Sequence, residues 1–256
     1  MINIDTWCQS RDENIGDHNL RLLTVAAENI ETAKTQIAEQ VSTHYSNPRR
    51  MADVFDRFGK SGIASFLRTL LPDAVVARSG DLGEIIATEY VDEKTPYLTP
   101  IKRLRWKDHR NQPMHGDDVV GIQIPEDGGR LKFLKVEAKS RASLQSRTIT
   151  EAREGINQDQ GLPSPHTLAF ISSRLHETGE DDIADLIDKE LLGQQITVAQ
   201  VENMIFTFSG NTPDNFLRVG LRNYTGSIIQ HAVGLHINNH QNFISNVFEE
   251  ALNEDN

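Results

Sequence analysis

HGDDVVGIQIPEDGGRLKFLKVEAKSR, residues 115–141, is the stretch that decides the fold. It predicts two strands, VVGIQI and LKFLKV, joined by a polar turn that contains glycine. Charged residues occupy positions that are ordinarily apolar in a sheet. Asp118 precedes the first strand, and Glu137 and Lys139 end the second. Side chains two apart in a strand point to the same face, so Glu137 and Lys139 project together. An acid and a base therefore share one small site.

The two carboxylates indicate metal-assisted hydrolysis of a phosphodiester. Hard divalent cations are held by one or two carboxylates together with water and substrate phosphate. We therefore expect Asp118 and Glu137 to bind Mg²⁺, with Mn²⁺ as the alternative, and Lys139 to orient the attacking water or neutralise developing charge. In the structural alternative, Glu137 and Lys139 are a solvated pair on an edge strand, and Asp117 and Asp118 belong to a turn.

A helix is predicted upstream, over GDLGEIIATEYV, residues 80–91. Ser79 or Asp81 would cap it, and its apolar residues fall on one side at helical spacing. Glu84 lies near its start and is a further candidate ligand, although an acidic residue in a first turn is also favoured by the helix dipole. Gly83 beside it leaves room for close approach by backbone or ligand.

An acidic helix residue, an Asp ahead of one strand and E-x-K at the end of the next resemble the PD-(D/E)XK nuclease superfamily. More narrowly, GDLGEIIATEYV, HGDDVVGI and VEAKS in this order resemble the HamA family of the Hachiman anti-phage defence system. The resemblance places Asp118, Glu137 and Lys139 in the motif positions and lets Glu84 complete the metal site. The proline that precedes the motif aspartate is replaced by Asp117, which leaves the choice between Asp117 and Asp118 open.

The resemblance implies an α/β (α+β) fold, with a restriction-endonuclease-like αβββαβ core around a mixed central sheet and helical N-terminal and C-terminal additions. The sequence order agrees with that core: helix 80–91, an outer strand over 97–107, the two strands above, helix 143–158 and a buried strand HTLAFIS at 166–172. We expect a mainly helical region over 1–78, the nuclease core over 79–175 and an α/β extension over 176–256, packed as one compact unit.

The segments that flank the core are predicted to be mainly helical. INIDTW, residues 2–7, is interpreted as a strand, and helices are expected over 25–46, 49–58 and 61–71, the last two separated near Gly59. Beyond the core we expect helices over 181–192 and from Thr197, a strand IIQHAVGLHI and a terminal helix around Phe243. The polar, acidic beginning predicts neither a signal peptide nor a membrane span, and the single Cys8 fits a reducing cytoplasm.

The net charge of −11 argues against strong nucleic-acid binding by the whole chain. Basic residues nevertheless outnumber acidic ones by 11 to 6 over 97–150, against 10 to 15 before this stretch and 5 to 16 after it. Side chains here could contact a DNA backbone, although a solvated face is the alternative. The residues expected to contact DNA are Lys102, Arg103, Arg105, Lys107, His115 and Arg141.

Together these features favour a Mg²⁺-dependent deoxyribonuclease. The resemblance implies a cytoplasmic defence complex in which a HamB-like helicase engages DNA and this chain degrades it. Two alternatives remain: a stand-alone restriction or repair nuclease, which would cut DNA as an isolated chain, and a non-catalytic regulatory subunit that retains the nuclease fold.

Overall fold

A mixed sheet forms the centre of the computed structural model, which describes residues 1–193 and 195–253. Its strands are β1 (Cys8–Ile15), β2 (His18–Val25), β3 (Val119–Gln123), β4 (Lys132–Arg141), β5 (Val201–Ser209) and β6 (Gln230–His236). In space they follow the order β1-β2-β6-β5-β4-β3. The four inner strands run parallel, and each edge strand is antiparallel to its neighbour. The predicted mixed α/β fold is confirmed, and strands from all three expected segments share the one sheet.

Helices cover both faces of this sheet. They are α1 (Ile30–Tyr45), α2 (Pro48–Leu70), α3 (Val75–Lys94), α4 (Ser146–Ile156), α5 (Pro165–Thr178), α6 (Asp181–Asp188), α7 (Asp214–Arg222) and α8 (His240–Ala251). On one face, α1, α3 and α8 bury apolar side chains against β4, β5 and β6. On the other, α4 and α7 pack over the middle of the sheet, and α5 and α6 pack against β3 and β4. Burial on both faces explains why the inner strands are almost continuously apolar.

Unequal strand lengths create an open edge. β3 pairs only with the first half of β4, from Lys132 to Val136. The second half of β4, from Glu137 to Arg141, pairs with β5 on its other side and extends past the start of β3. The E-x-K motif therefore lies at the carboxyl end of a parallel strand, where open α/β sheets bind their ligands.

The strand expected over 97–107 is wrong. Leu98 forms a single antiparallel bridge with Ile122, and Arg103–Trp106 is a turn of 3₁₀ helix. Lys102 and Lys107 instead reach acidic residues of α3, so ion pairs hold this segment across the helices rather than along the sheet.

The strand expected over HTLAFIS is also wrong, because these residues lie in α5, which has Pro165 in its first turn. Leu168, Ile171 and Leu175 are buried at helical spacing, and a short apolar run does not by itself distinguish a strand from a helix. The strand next to β4 in the sheet is β5 instead. It lies in the part of the sequence where a helix from Thr197 was expected. A capping box between Thr197 and Gln200 gives only one 3₁₀ turn before the chain becomes extended.

At the N-terminus, Ile4–Thr6 is a 3₁₀ turn rather than part of a strand, and the β1–β2 hairpin that follows was not predicted. Helix α3 begins at Val75, so Ser79 and Asp81 lie buried inside it and do not cap it. The expected break near Gly59 is present as a kink in α2, where this glycine has φ 65°. The expected strand β6 and terminal helix α8 are confirmed. Within the described ranges, no helix is both long and apolar enough to cross a membrane.

Candidate functional site

Glu137 and Lys139 lie together on one face of β4, as the strand spacing predicts. The Glu137 Oε1 atom is 2.5 Å from the Lys139 Nζ atom, and both side chains are largely shielded from solvent. Burial raises the pKa of the Glu137 carboxyl, the negative charge of Asp118 raises it further, and the lysine opposes both. The pair is therefore a partly buried acid and base rather than a solvated pair.

Asp118 immediately precedes β3, beside the part of β4 that extends past the start of that strand. Its Oδ2 atom accepts a hydrogen bond of 2.9 Å from the backbone N–H of Ala138, so the carboxylate takes the position of the next strand partner. In the β3–β4 register, Asp118 falls opposite Glu137, one position before Val119. Burial raises the pKa of Asp118, whereas the Ala138 hydrogen bond and nearby Arg103 lower it.

Glu84 of α3 lies close enough to Asp118 for their charges to interact. Its Oε1 atom is 3.2 Å from the Arg103 Nε atom, yet it is buried and forms no hydrogen bond within the described chain. Burial raises the pKa of Glu84 to about 8, and the charge of Asp118 contributes to the rise. A buried acceptor with no hydrogen-bond partner costs free energy, so this oxygen has the capacity to accept a further ligand.

Two glycines bring helices close to these side chains. A Cβ atom at Gly83 would lie 3.0 Å from the Ser140 Cβ atom, which shows how tightly α3 packs on the end of β4. A Cβ atom at Gly155 of α4 would lie 2.6 Å from the Glu137 carboxyl carbon. The Glu137 carboxylate therefore occupies space that any residue with a Cβ atom at position 155 would fill.

Asp117 has a different environment from Asp118. Its Oδ1 atom is 3.2 Å from the Lys135 Nζ atom, and its Oδ2 atom accepts a hydrogen bond of 2.7 Å from the Ser164 N–H. Both carboxylate oxygens are thus engaged with the protein interior and the start of α5. Asp118 is the acid of this pair whose charge acts on Glu84 and Glu137.

Lys135 lies beside the candidate site and was not predicted from the sequence. It is 1% exposed, and its Nζ atom donates to the carbonyl oxygens of Gln158 and Leu162 at 2.8 and 3.0 Å. Its charge also lowers the pKa of Glu137, the residue two positions further along β4. The sequence feature that could have indicated it is a lysine inside the apolar run LKFLKV, two residues before Glu137 and therefore on the same face of the strand as Glu137 and Lys139.

The donor chemistry of Glu84, Asp118 and Glu137 fits a hard divalent cation. All three offer carboxylate oxygens, which are the ligands that Mg²⁺ and Mn²⁺ prefer, and the Glu84 oxygen that lacks a hydrogen bond could bind such an ion. In the part of the chain that the structure describes, no three His, Cys, Asp or Glu side chains are grouped closely enough to hold a metal ion. Arg103 contacts Glu84 and Lys139 contacts Glu137 in this arrangement, so each of these carboxylates is paired with a cationic side chain.

The side chains expected to contact DNA divide into two groups. Lys102 and Lys107 form ion pairs with Glu89 and Asp81 at 2.7 and 2.6 Å, and Arg105 donates to the Thr43 carbonyl at 2.9 Å. These three side chains are therefore held against α1 and α3. His115 and Arg141 are exposed, and Arg103 lies beside Glu84.

Known proteins match this chain over almost its whole length. A sequence model of the HamA family matches residues 1–251. A protein from Bacillus cereus described as Hachiman protein HamA is 26% identical over 253 residues, which is 96% of this chain and 89% of the relative. The similarity therefore includes every element that carries a site residue.

Proposed function

The chain belongs to the HamA family, and from this membership and the carboxylate geometry we propose that it is a divalent-metal-dependent deoxyribonuclease of the PD-(D/E)XK type. One observation carries the proposal: Asp118 and Glu137 lie opposite each other on neighbouring strands, Lys139 contacts Glu137, and Glu84 of α3 lies near enough to Asp118 for their charges to interact. Buried charged groups of this kind contribute little to the stability of a fold. Stability alone therefore does not explain why they lie together.

Glu84, Asp118 and Glu137 would hold the cation. A bound Mg²⁺ supplies a more acidic water and charge stabilisation at phosphorus. Lys139 donates from Nζ towards the same space, where it orients the nucleophilic water and offsets negative charge that develops on the phosphate oxygens. Asp118 is fixed by the Ala138 N–H and Glu137 lies against Gly155, so neither carboxylate needs to be ordered when substrate binds.

We further propose a role in anti-phage defence with a helicase partner, since the relative from Bacillus cereus is described as a Hachiman protein. Charge supports the need for a partner. Within the described chain, eight of the 11 basic residues of 97–150 form internal ion pairs: Lys102, Arg103, Lys107, Arg110, Arg130, Lys135, Lys139 and Arg147. Few cations remain to neutralise phosphates, so a helicase that delivers DNA would supply most of the affinity.

Cleavage of plasmid DNA tests the proposal. The purified chain is incubated with Mg²⁺, Mn²⁺ or EDTA, with and without the co-expressed helicase, and the parent is compared with Glu137→Gln and Lys139→Ala. We expect metal-dependent cutting and a loss of at least about 100-fold in each variant, the scale of removing a group that acts on the reacting atoms.

Glu126→Gln is the matched control, because Glu126 is an exposed acid in the turn between β3 and β4. It should cut at the parental rate. Equal cutting by Glu137→Gln and the parent would refute the site, and a parent that cuts under none of these conditions would favour a regulatory subunit. Cutting by the chain alone, at the rate seen with helicase, would instead indicate a stand-alone nuclease.

A further inference from the structure

A cavity of about 260 Å³ opens directly beside Asp118. It lies between the 3₁₀ segment Arg103–Trp106, the loop that leads into β3, and the first turns of α5. Arg103 and Asp118, which belong to the proposed nuclease site, form part of its wall. The cavity therefore adjoins the proposed nuclease site at Asp118.

The opposite wall is aromatic. Trp106 and Phe170 meet edge to face, with ring centroids 6.1 Å apart and an interplanar angle of 89°. The Arg174 guanidinium lies over both rings, 6.0 Å from the Trp106 centroid and 5.4 Å from that of Phe170, and helps to fix their positions. The exposed imidazole of His166 also lines the cavity.

The size and lining match one planar heterocycle. Sites for drug-sized ligands begin at roughly 300 Å³, so this cavity suits a smaller group. Aromatic walls bind nucleobases through stacking, which contributes about 1–3 kcal/mol per base and works for any base. Arg103 and His166 add polar groups able to meet a base edge or a phosphate.

We infer that this cavity binds the base of the nucleotide next to the scissile phosphate, which makes single-stranded or unpaired DNA the substrate class. The inference rests on the proposed nuclease function, because the phosphate of that nucleotide would lie at Asp118 and Glu137. A base inside a duplex is stacked and paired and must be extruded to enter such a cavity, at a cost of a few kcal/mol. Unpaired strands avoid that cost.

Binding without cleavage tests this inference. The full-length Glu137→Gln variant in EDTA and low salt is titrated with an eight-nucleotide single strand and with the corresponding duplex. Tryptophan fluorescence reports the cavity, because Trp106 lines it whereas Trp7 is 1% exposed. We expect the single strand to quench the fluorescence and to bind at least about 10-fold more tightly than the duplex, a difference of roughly 1.4 kcal/mol.

Variants locate the binding. His166→Ala, in the exposed first turn of α5, and Phe170→Leu should each weaken single-strand binding by about 10-fold, with melting temperatures checked to establish that both fold. Phe216→Leu changes an aromatic residue in a different cavity and should bind as the parent does. Equal affinity for single strand and duplex, or no effect of His166→Ala and Phe170→Leu, overturns the inference even if the parent cuts DNA. Preferential single-strand binding by a parent that never cuts would refute only the nuclease function.

Discussion

At the scale of single residues, the burial of Glu84 is the clearest unfavourable contribution to the stability of the fold. This carboxylate is buried near Asp118 without a hydrogen-bond partner for its Oε1 atom, and Arg103 is its cationic neighbour. Its pKa is raised to about 8, so the folded chain binds a proton at Glu84 that the unfolded chain releases. The corresponding stability is complete below the ordinary carboxyl pKa and is lost as the pH rises to about 8.

Glu84→Gln should therefore stabilise the metal-free protein in alkaline solution. At pH 8.5 in EDTA we expect a gain of about 1–3 kcal/mol, and near pH 4, below the ordinary carboxyl pKa of 4.5, almost none. Urea unfolding at a series of pH values measures the difference. Mg²⁺ should raise the melting temperature of the parent more than that of the variant, because binding to the folded state alone stabilises it. A gain that is the same at both pH values would exclude ionisation of Glu84 as its cause.

The adjacent acids Asp117 and Asp118 should respond in opposite ways to the same change. Asp117→Asn leaves the buried Lys135 ammonium without its carboxylate partner and should cost about 3–5 kcal/mol. Asp118→Asn removes a charge whose burial is unfavourable, so stability should stay equal or increase while cleavage is lost. Denaturant unfolding of both variants, with a cleavage assay of Asp118→Asn, checks this. Comparable destabilisation by the two substitutions would contradict the assignment of separate roles.

At the scale of elements, the site depends on how closely α3 packs on β4. Gly83 permits that distance, since a Cβ atom there would lie 3.0 Å from Ser140, whereas Gly80 one turn earlier faces open space. Gly83→Ala should therefore cost about 1–3 kcal/mol through overpacking. Gly80→Ala should add about 0.5–1 kcal/mol through helix propensity. Urea midpoints for the two variants give the comparison, and a stabilising Gly83→Ala would show that α3 can move away from the strand freely.

Sequence predicted the elements whose local pattern agrees with their tertiary environment. Charges two apart at the end of LKFLKV located β4 and its site face, and the helical spacing of residues 80–91 located α3. The strand β5 was missed because the capping box of Thr197 and Gln200 imitates a helix start. Helix α5 was missed because its apolar run also fits a strand, and only packing against β3 and β4 decides between them.

At the scale of the whole molecule, the basic stretch 97–150 neutralises the acids of α3. Lys102, Arg103 and Lys107 contact Glu89, Glu84 and Asp81 in turn, so three successive turns of the helix are paired with one crossing segment. The charge count in the sequence was correct, but sequence does not reveal whether a cation faces DNA or its own chain. The distribution of charge consequently supports folding of the site more directly than recognition of nucleic acid.

The same crossing segment helps to build a buried junction around Glu89. His44 Nε2 of α1 lies 2.8 Å from Glu89 Oε1, Lys102 Nζ lies 2.7 Å from it, and the amino group of Met1 is 3.5 Å from Oε2. Burial lowers the pKa of His44 to about 4. Although burial opposes ionisation of Glu89, hydrogen bonds from His44 and Lys102 hold its pKa at about 2. The folded junction therefore contains a neutral imidazole and a carboxylate.

This junction should make the protein acid-sensitive in two windows. The histidine contribution is complete above its ordinary pKa of 6.5 and is lost as the pH falls to about 4, and that of Glu89 is lost between 4.5 and about 2. His44→Gln should remove about 1–3 kcal/mol of the decline between pH 6.5 and 4. Burial also lowers the pKa of His240 to about 4, so its contribution to the slope should remain in His44→Gln. Urea unfolding at pH 6.5, 5.5 and 4.5 measures the slope, with the exposed His166→Gln as control. A slope unchanged in His44→Gln would mean that His44 is already protonated in the folded protein.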